Sequence, residues 1–223
     1  MSTPKVAFGA ILTADIVNST KLLPQQQERL VKALGFFLAD HIPVYKHKHQ
    51  YEFYRGDSFQ VYIKNPDEAL RTALACRGLA IGITEEGDEE TGVLSDIRIS
   101  IGIGTIDGPI TSLGIAKGEA FLLSGRQFDE LQKTDQRLTI SCGQPIANVG
   151  FQVMADYLDS IYSRMTTKQA NLIVTLLQGI TQQQAAITLN KSKSTISQLA
   201  NAGRWPEIEK VLKQYEQLIN LIQ

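Results

Sequence analysis

VAFGAILTADIVNST, residues 6–20, is the stretch on which the fold turns. Its apolar residues follow one another without alternation, and an acid, Asp15, stands near the close. An unbroken apolar run suits a strand buried on both faces, in the middle of a sheet. Such a strand delivers Asp15 at its C-terminal end. The polar loop Asn18-Ser19-Thr20 follows, and the backbone amides of Ile16 to Ser19, in a loop entering a helix, are placed to cradle phosphates.

Outward from there, Leu30, Leu34, Phe37 and Leu38 predict a helix from Pro24 to about His41. Val44 to Ile63 reads as a hairpin, with Tyr51, Phe53, Phe59, Val61 and Ile63 flanking a turn at Arg55-Gly56-Asp57-Ser58. Asn65-Pro66-Asp67-Glu68 opens a second helix, with a cap, a proline and two acids, running to about Thr84. A solvated acidic loop, Glu85–Glu90, is expected next. IRISIGIGTI, Ile97 to Ile106, alternates as a strand; Gly118 to Leu131 is a helix and Leu138 to Cys142 a short strand. The order β-α-β-β-α-β with an α-β extension predicts an α+β, ferredoxin-like sheet with helices on one face, over residues 1–150.

From Phe151 the pattern is helical, and residues 151–223 are expected to form a separate all-α unit. Thr166-Thr167-Lys168-Gln169 caps a helix carrying Leu172, Ile173, Leu176 and Leu177. TQQQAAITLNKSKSTISQLANAG, residues 181–203, then reads as two short helices about a tight turn. Thr181 and Gln184 have capping-box spacing. Ala186 is small where helices cross, Asn190 tolerates a left-handed turn, Ser192 or Ser194 can cap, Ile196 and Leu199 point inward, and Gly203 ends the second helix as a C′ residue. Small residue, turn residue at +4 and β-branched residue at +10 is the spacing of a DNA-binding helix-turn-helix. The usual apolar residue after the turn is here Lys191. Ser192, Lys193, Ser194, Ser197, Gln198 and Asn201 would face double-stranded DNA, with Lys191 and Lys193 reaching phosphates. The plainer alternative is a polar-faced bundle for protein contacts. In the last helix, opened by Trp205-Pro206, the residues Ile208, Val211, Tyr215, Leu218 and Ile222 form a two-heptad seam, which either dimerises or covers the core.

The 223 residues carry a net charge of −1, unevenly distributed. Residues 160–223 hold seven Lys or Arg against three Glu, and residues 1–159 fifteen against twenty acids, so the basic end is the one suited to nucleic acid. Cys76 and Cys142 form no CxxC pair and sit in apolar patterns, as buried reduced thiols of a cytoplasmic protein would. No signal peptide or membrane span is expected, and no GxSxG or Walker motif exists. His41, His47 and His49 lack further ligands for Zn²⁺ or Ni²⁺ and read as a solvated strand face.

Asp15 and Asp57 should lie side by side at the sheet end, as two carboxylates holding Mg²⁺ and a triphosphate would, or as two ordinary turn residues. Here the sequence begins to resemble a family. ADIVNST (residues 14–20) looks like the first-strand motif of class III nucleotidyl cyclases, YRGDSF (54–59) is similar to their hairpin, and GEAFLLSGR (118–126) matches the spacing of their helix with an Asn and an Arg. The resemblance, over roughly residues 6–145, implies metal binding by Asp15 and Asp57 and phosphate stabilisation by Arg126. It departs where the cyclase Asn falls on Leu122 and the purine-reading Lys on Phe53, neither of which can make the required hydrogen bond. With GDSFQ and TQQQAAITLNKSKSTISQ added, the whole chain looks most like SatD-type proteins, a cyclase-like part followed by a helix-turn-helix.

The expectation is therefore a DNA-binding transcriptional regulator, homodimeric on a palindromic site, with a degenerate sheet domain that senses a nucleotide through Asn18, Ser19, Thr20 and Arg126, with Mg²⁺ on Asp15 and Asp57. The alternatives are an active cyclase or phosphotransfer enzyme using Mg-NTP, and a non-catalytic interaction protein. A catalytic role is the weaker expectation, Arg126 being its one candidate.

Overall fold

The computed structural model describes residues 7–39, 50–83 and 93–223. The three histidines, the acidic loop Glu85–Glu90 and the start of the hairpin at Val44 lie outside the described residues. Strand β1 (Ala7–Val17) is the axis of a five-stranded sheet ordered β2-β3-β1-β4-β5. It pairs antiparallel with β3 (Ser58–Ile63) on one side and with β4 (Asp96–Ile106) on the other. The edges are β2 (Gln50–Tyr54), antiparallel to β3, and β5 (Leu138–Cys142), parallel to β4. The expected βαββαβ order with one added strand is thus present.

Both faces of β1 are covered, which is why its sequence does not alternate. Ala10, Leu12, Ala14 and Ile16, with Ile97, Ile99, Ile101 and Ile103 of β4, belong to the main core together with α1 (Pro24–Ala39) and α2 (Ala69–Ile81). Ile11 packs on the opposite face with Ile106 and Ala120, beneath α3 (Glu119–Leu131). Helices therefore lie on both faces, not one. The cause is legible in β4: a Cβ on Gly102 would collide with the carbonyl of Ala120 and the amide of Ser124, so its glycines admit α3 as a close neighbour. Thr13 of β1 bonds Ser124 of α3 at 3.1 Å on this face.

The helical part begins earlier than Phe151. Helix α4 (Pro145–Tyr162) starts on a proline, packs on β5, and runs straight through the expected boundary at 150/151. Helices α5 (Thr167–Leu177), α6 (Gln182–Thr188), α7 (Lys193–Ala202) and α8 (Trp205–Ile222) follow. Thr166 with Gln169, and Thr181 with Gln184, close full capping boxes. Helix α5 lies against α2 so closely that a Cβ on Gly78 would stand 2.5 Å from Val174 Cγ2.

Two helix-end expectations are corrected. Gly203 has φ −78° and is not the left-handed residue; Arg204 is, at φ 57°. Gly203 instead leaves room for Ile173, 3.4 Å from where its Cβ would be. The α8 seam is also used within the chain. Ile208, Val211, Leu212, Tyr215 and Ile219 are buried, and Tyr215 donates its hydroxyl to the carbonyl of Pro66 at 2.8 Å. Of the two roles left open, covering the core is the one observed.

Candidate functional site

The register brings the two aspartates to one end of the sheet. Asp15 stands opposite Ser58 on β3 and Arg98 on β4, and the Ile16 amide donates to the Asp57 carbonyl at 2.9 Å. That bond removes Ile16 from the amides expected to cradle phosphate. Asn18 is left-handed (φ 61°) and opens a 3₁₀ turn, Ser19–Lys21, as a polar residue tolerant of that conformation can.

Each carboxylate is already engaged. Asp15 pairs with the Arg98 guanidinium at 3.2 Å and accepts from Gln132 at 3.4 Å. Asp57 accepts the Ser19 hydroxyl at 3.0 Å and the Ser58 hydroxyl at 3.4 Å. Mg²⁺ demands six oxygens in near-octahedral order. No group of three or more His, Cys, Asp or Glu able to hold a metal occurs among the described residues. Two carboxylates would leave the remaining positions of a Mg²⁺ ion to water or a phosphate, and Asp15 would have to exchange its Arg98 partner for the ion. The Arg98 Nε is buried with no hydrogen-bond partner, so this guanidinium keeps unused donor capacity.

Arg126 is exposed on α3 and paired with neither aspartate, and Thr20 has no bond to either. Leu122 is 58% exposed. Phe53 stacks against Phe59, ring centroids 5.3 Å apart, so it serves the hairpin's packing. The structure thus gathers Asp15, Asp57 and Ser19, and links Arg126 to none of them by a side-chain bond. Sequence reading missed Arg98 and Gln132. Arg98 had a signal, a lone cation inside an alternating apolar strand; Gln132 had none.

The second cluster is built on α6 and α7. Ala186 is buried and Asn190 has φ 49°. The Lys191 amide donates to the Ala186 carbonyl at 2.9 Å and the Asn190 amide to Ile187 at 3.2 Å. These are the two bonds of a Schellman ending, so the backbone closes the turn although Lys191 replaces the usual apolar residue. Ser192 caps α7, accepting the Thr195 amide at 3.1 Å, and its hydroxyl also meets that of Ser194 at 2.8 Å. Ile196 is fully buried. Lys191, Ser192, Lys193, Ser194, Ser197, Gln198 and Asn201 are all exposed. Of these, the serine pair is partly engaged in the cap, whereas Lys193, Gln198 and Asn201 make no side-chain bond among the described residues and lie open to solvent.

No family model matches the chain, and no curated protein matches it. Among solved structures it is similar to a bacterial light-regulated adenylyl cyclase at 16% identity and TM-score 0.45, over 63% of this chain and 44% of that one. A further structure of a bacterial light-regulated adenylyl cyclase gives 16% and 0.44, covering 45% of its length. The active GGEEF domain of a diguanylate cyclase from Vibrio cholerae gives 11% and 0.41, over 62% of this chain and 84% of that domain. The chain spans less than half the length of the two adenylyl cyclases. These are low-identity likenesses of fold, and activity does not travel with fold. No helix among the described residues is long and apolar enough to cross a membrane.

Proposed function

We propose that the chain is a DNA-binding regulator, with α6 and α7 acting as a helix-turn-helix and the sheet unit as a non-catalytic module for a nucleotide effector. The observation that carries the reading is the face of α7. A capped, Schellman-closed turn holds a ten-residue helix on Ile196 and Ala200, with Lys193, Ser197, Gln198 and Asn201 all turned to solvent. Amide and hydroxyl groups of this kind bond base edges, and the lysines serve phosphates. A bundle built only for protein contact would be expected to expose apolar anchors there.

Turnover of a nucleoside triphosphate finds less support. Leu122 and Phe53 cannot hydrogen-bond a substrate, and Arg98 already neutralises Asp15. Effector binding at the sheet end would instead rest on Arg98, Ser19 and Asn18. A homodimer on a palindromic duplex remains our reading of the assembly, through a face other than the α8 seam.

The test is selection of a random duplex library on the full chain, followed by fluorescence anisotropy at rising salt. Enrichment of a sequence, with affinity falling steeply between 50 and 200 mM salt, is the expected result for several phosphate contacts. Gln198→Ala should relax base preference, and Lys193→Ala should weaken all duplexes alike. Absence of both enrichment and salt-dependent binding would sink the proposal.

A further inference from the structure

At the joint between the α4–α5 and α7–α8 connections lies a cavity of about 290 Å³. Arg164 and Arg204 line it with Ser160 and Gln169, over a floor that includes Ile161 and Met165. Arg164 is exposed and has no side-chain partner among the described residues. Arg204 is held by its surroundings. Its backbone is left-handed, its guanidinium lies 5.6 Å from the Tyr157 ring centroid, and it donates to the Tyr157 hydroxyl at 2.9 Å and to Glu207 at 3.0 Å.

Two helices also begin at this cavity. Helix α5 enters beside Met165 and Gln169, and α8 enters at Arg204, whose side chain caps nothing. The capping box takes the Gln169 amide of α5 and Pro206 has no N–H in α8, so these helix starts favour an anion mainly through their dipoles. Glu207, in the first turn of α8, is the counter-charge. Its pair with Arg204 is about half exposed, and such screened pairs contribute little, so an incoming anion can exchange for it.

We propose that this cavity binds a phosphate group. Guanidinium forks match phosphate oxygens, and the side-chain NH2 of Gln169 adds a neutral donor, whereas the Ser160 hydroxyl already donates to the Tyr157 carbonyl at 2.7 Å. The volume lies near the lower end of small-molecule pockets, and Ile161 and Met165 suit the organic part of a phosphate monoester. The same chemistry is offered by a backbone phosphate of DNA, given the proximity of α7. Arg204 follows the last residue of α7 by two positions, so a ligand held there fixes the α7–α8 joint.

The test uses the full chain in buffer free of phosphate and sulfate. Calorimetric titration with inorganic phosphate, ribose 5-phosphate and phenyl phosphate is compared across Arg164→Ala, Arg204→Gly and Glu207→Gln. Glycine at 204 keeps the left-handed backbone without strain. Saturable binding of a monoester, weakened at least tenfold by either arginine variant and strengthened by Glu207→Gln, assigns a small-molecule site. The strengthening cannot come from misfolding. If the titrations are blank but each arginine variant lowers the salt slope of duplex binding by about 0.9, the phosphate is one of the DNA backbone. Blank titrations with an unchanged slope overturn the proposal. Failure of the α7 reading shows separately, as no sequence enriched from the duplex library while monoester binding is intact.

Discussion

Arg77 carries its charge where water does not reach. It is fully buried on α2, donates Nε and Nη2 to Asp96 at 3.1 and 2.7 Å and Nη1 to Asp159, and stacks 5.0 Å from the Tyr162 ring centroid. Burial alone would lower its pKa, but Asp96 and then Asp159 outweigh that and hold the guanidinium charged. Removing one partner of such a group strands the others, at a cost of about 3–5 kcal/mol. Arg77→Leu should therefore lower the free energy of unfolding, measured by urea denaturation, by that much, and the double change Arg77→Leu with Asp159→Leu should recover part of it. The two thiols act through protonation. Burial raises both Cys76 and Cys142 above the ordinary 9.0. Their neutral forms are favoured in the folded state, so above about pH 9 the unfolded chain releases protons that the folded chain keeps. Stability then falls as pH rises, at up to about 1.4 kcal/mol per pH unit for each thiol. Cys76→Ala should flatten that limb, and neither thiol should react with a disulfide reagent at pH 8 before the chain unfolds. Rapid titration of both thiols in the native protein would contradict this burial.

At the scale of elements, the α6–α7 turn offers the sharpest test. Asn190 sits at φ 49°, where a β-branched side chain is strained and glycine is not. Asn190→Gly should leave the melting temperature nearly unchanged, whereas Asn190→Val should cost about 1–2 kcal/mol. Ser192→Ala removes the cap of α7 and should cost about 1 kcal/mol. Gln198→Ala, at an exposed position, should stay within about 0.5 kcal/mol of the parent, so that any loss of duplex binding is a loss of contact and not of folding. These positions could be read from sequence because capping and turn chemistry is local: Thr181 with Gln184, Asn190 and Ser192 act within four residues of themselves. Strand β1 was legible for a related reason, since burial on both faces removes alternation. What could not be read depends on partners far along the chain. Arg98 reaches Asp15 across 83 positions, and α3 takes the second face of the sheet through Gly102, whose meaning needs Ala120 beside it. The α8 seam has dimer spacing, yet its occupant is Pro66 and the helices of the same chain.

The whole molecule is tied across the place where sequence composition divides it. Helix α4 spans the 150/151 position, Arg77 of α2 grips Asp159 of α4, Gly78 admits Val174 of α5, and Tyr215 of α8 bonds Pro66 ahead of α2. One buried cluster runs from Ala10 on β1 to Ile219 on α8. A continuous core of this kind unfolds cooperatively, because neither side keeps its buried faces covered when the other opens. Trp205, the single tryptophan, reports from the helical side, and far-ultraviolet circular dichroism reports from the whole chain. Thermal unfolding followed by the two should give one coincident transition. The joint can then be stressed at a chosen point. Gly78→Ala places a methyl 2.5 Å from Val174 Cγ2, an overpacking that costs about 1–3 kcal/mol. It should lower both curves together, and Val174→Ala should restore much of the loss, since residues in contact couple non-additively. Two separated transitions in the parent, or a Gly78→Ala effect on the tryptophan signal alone, would mean that the helical unit folds independently. An effector at the sheet end would then have no rigid route to α7 through this joint.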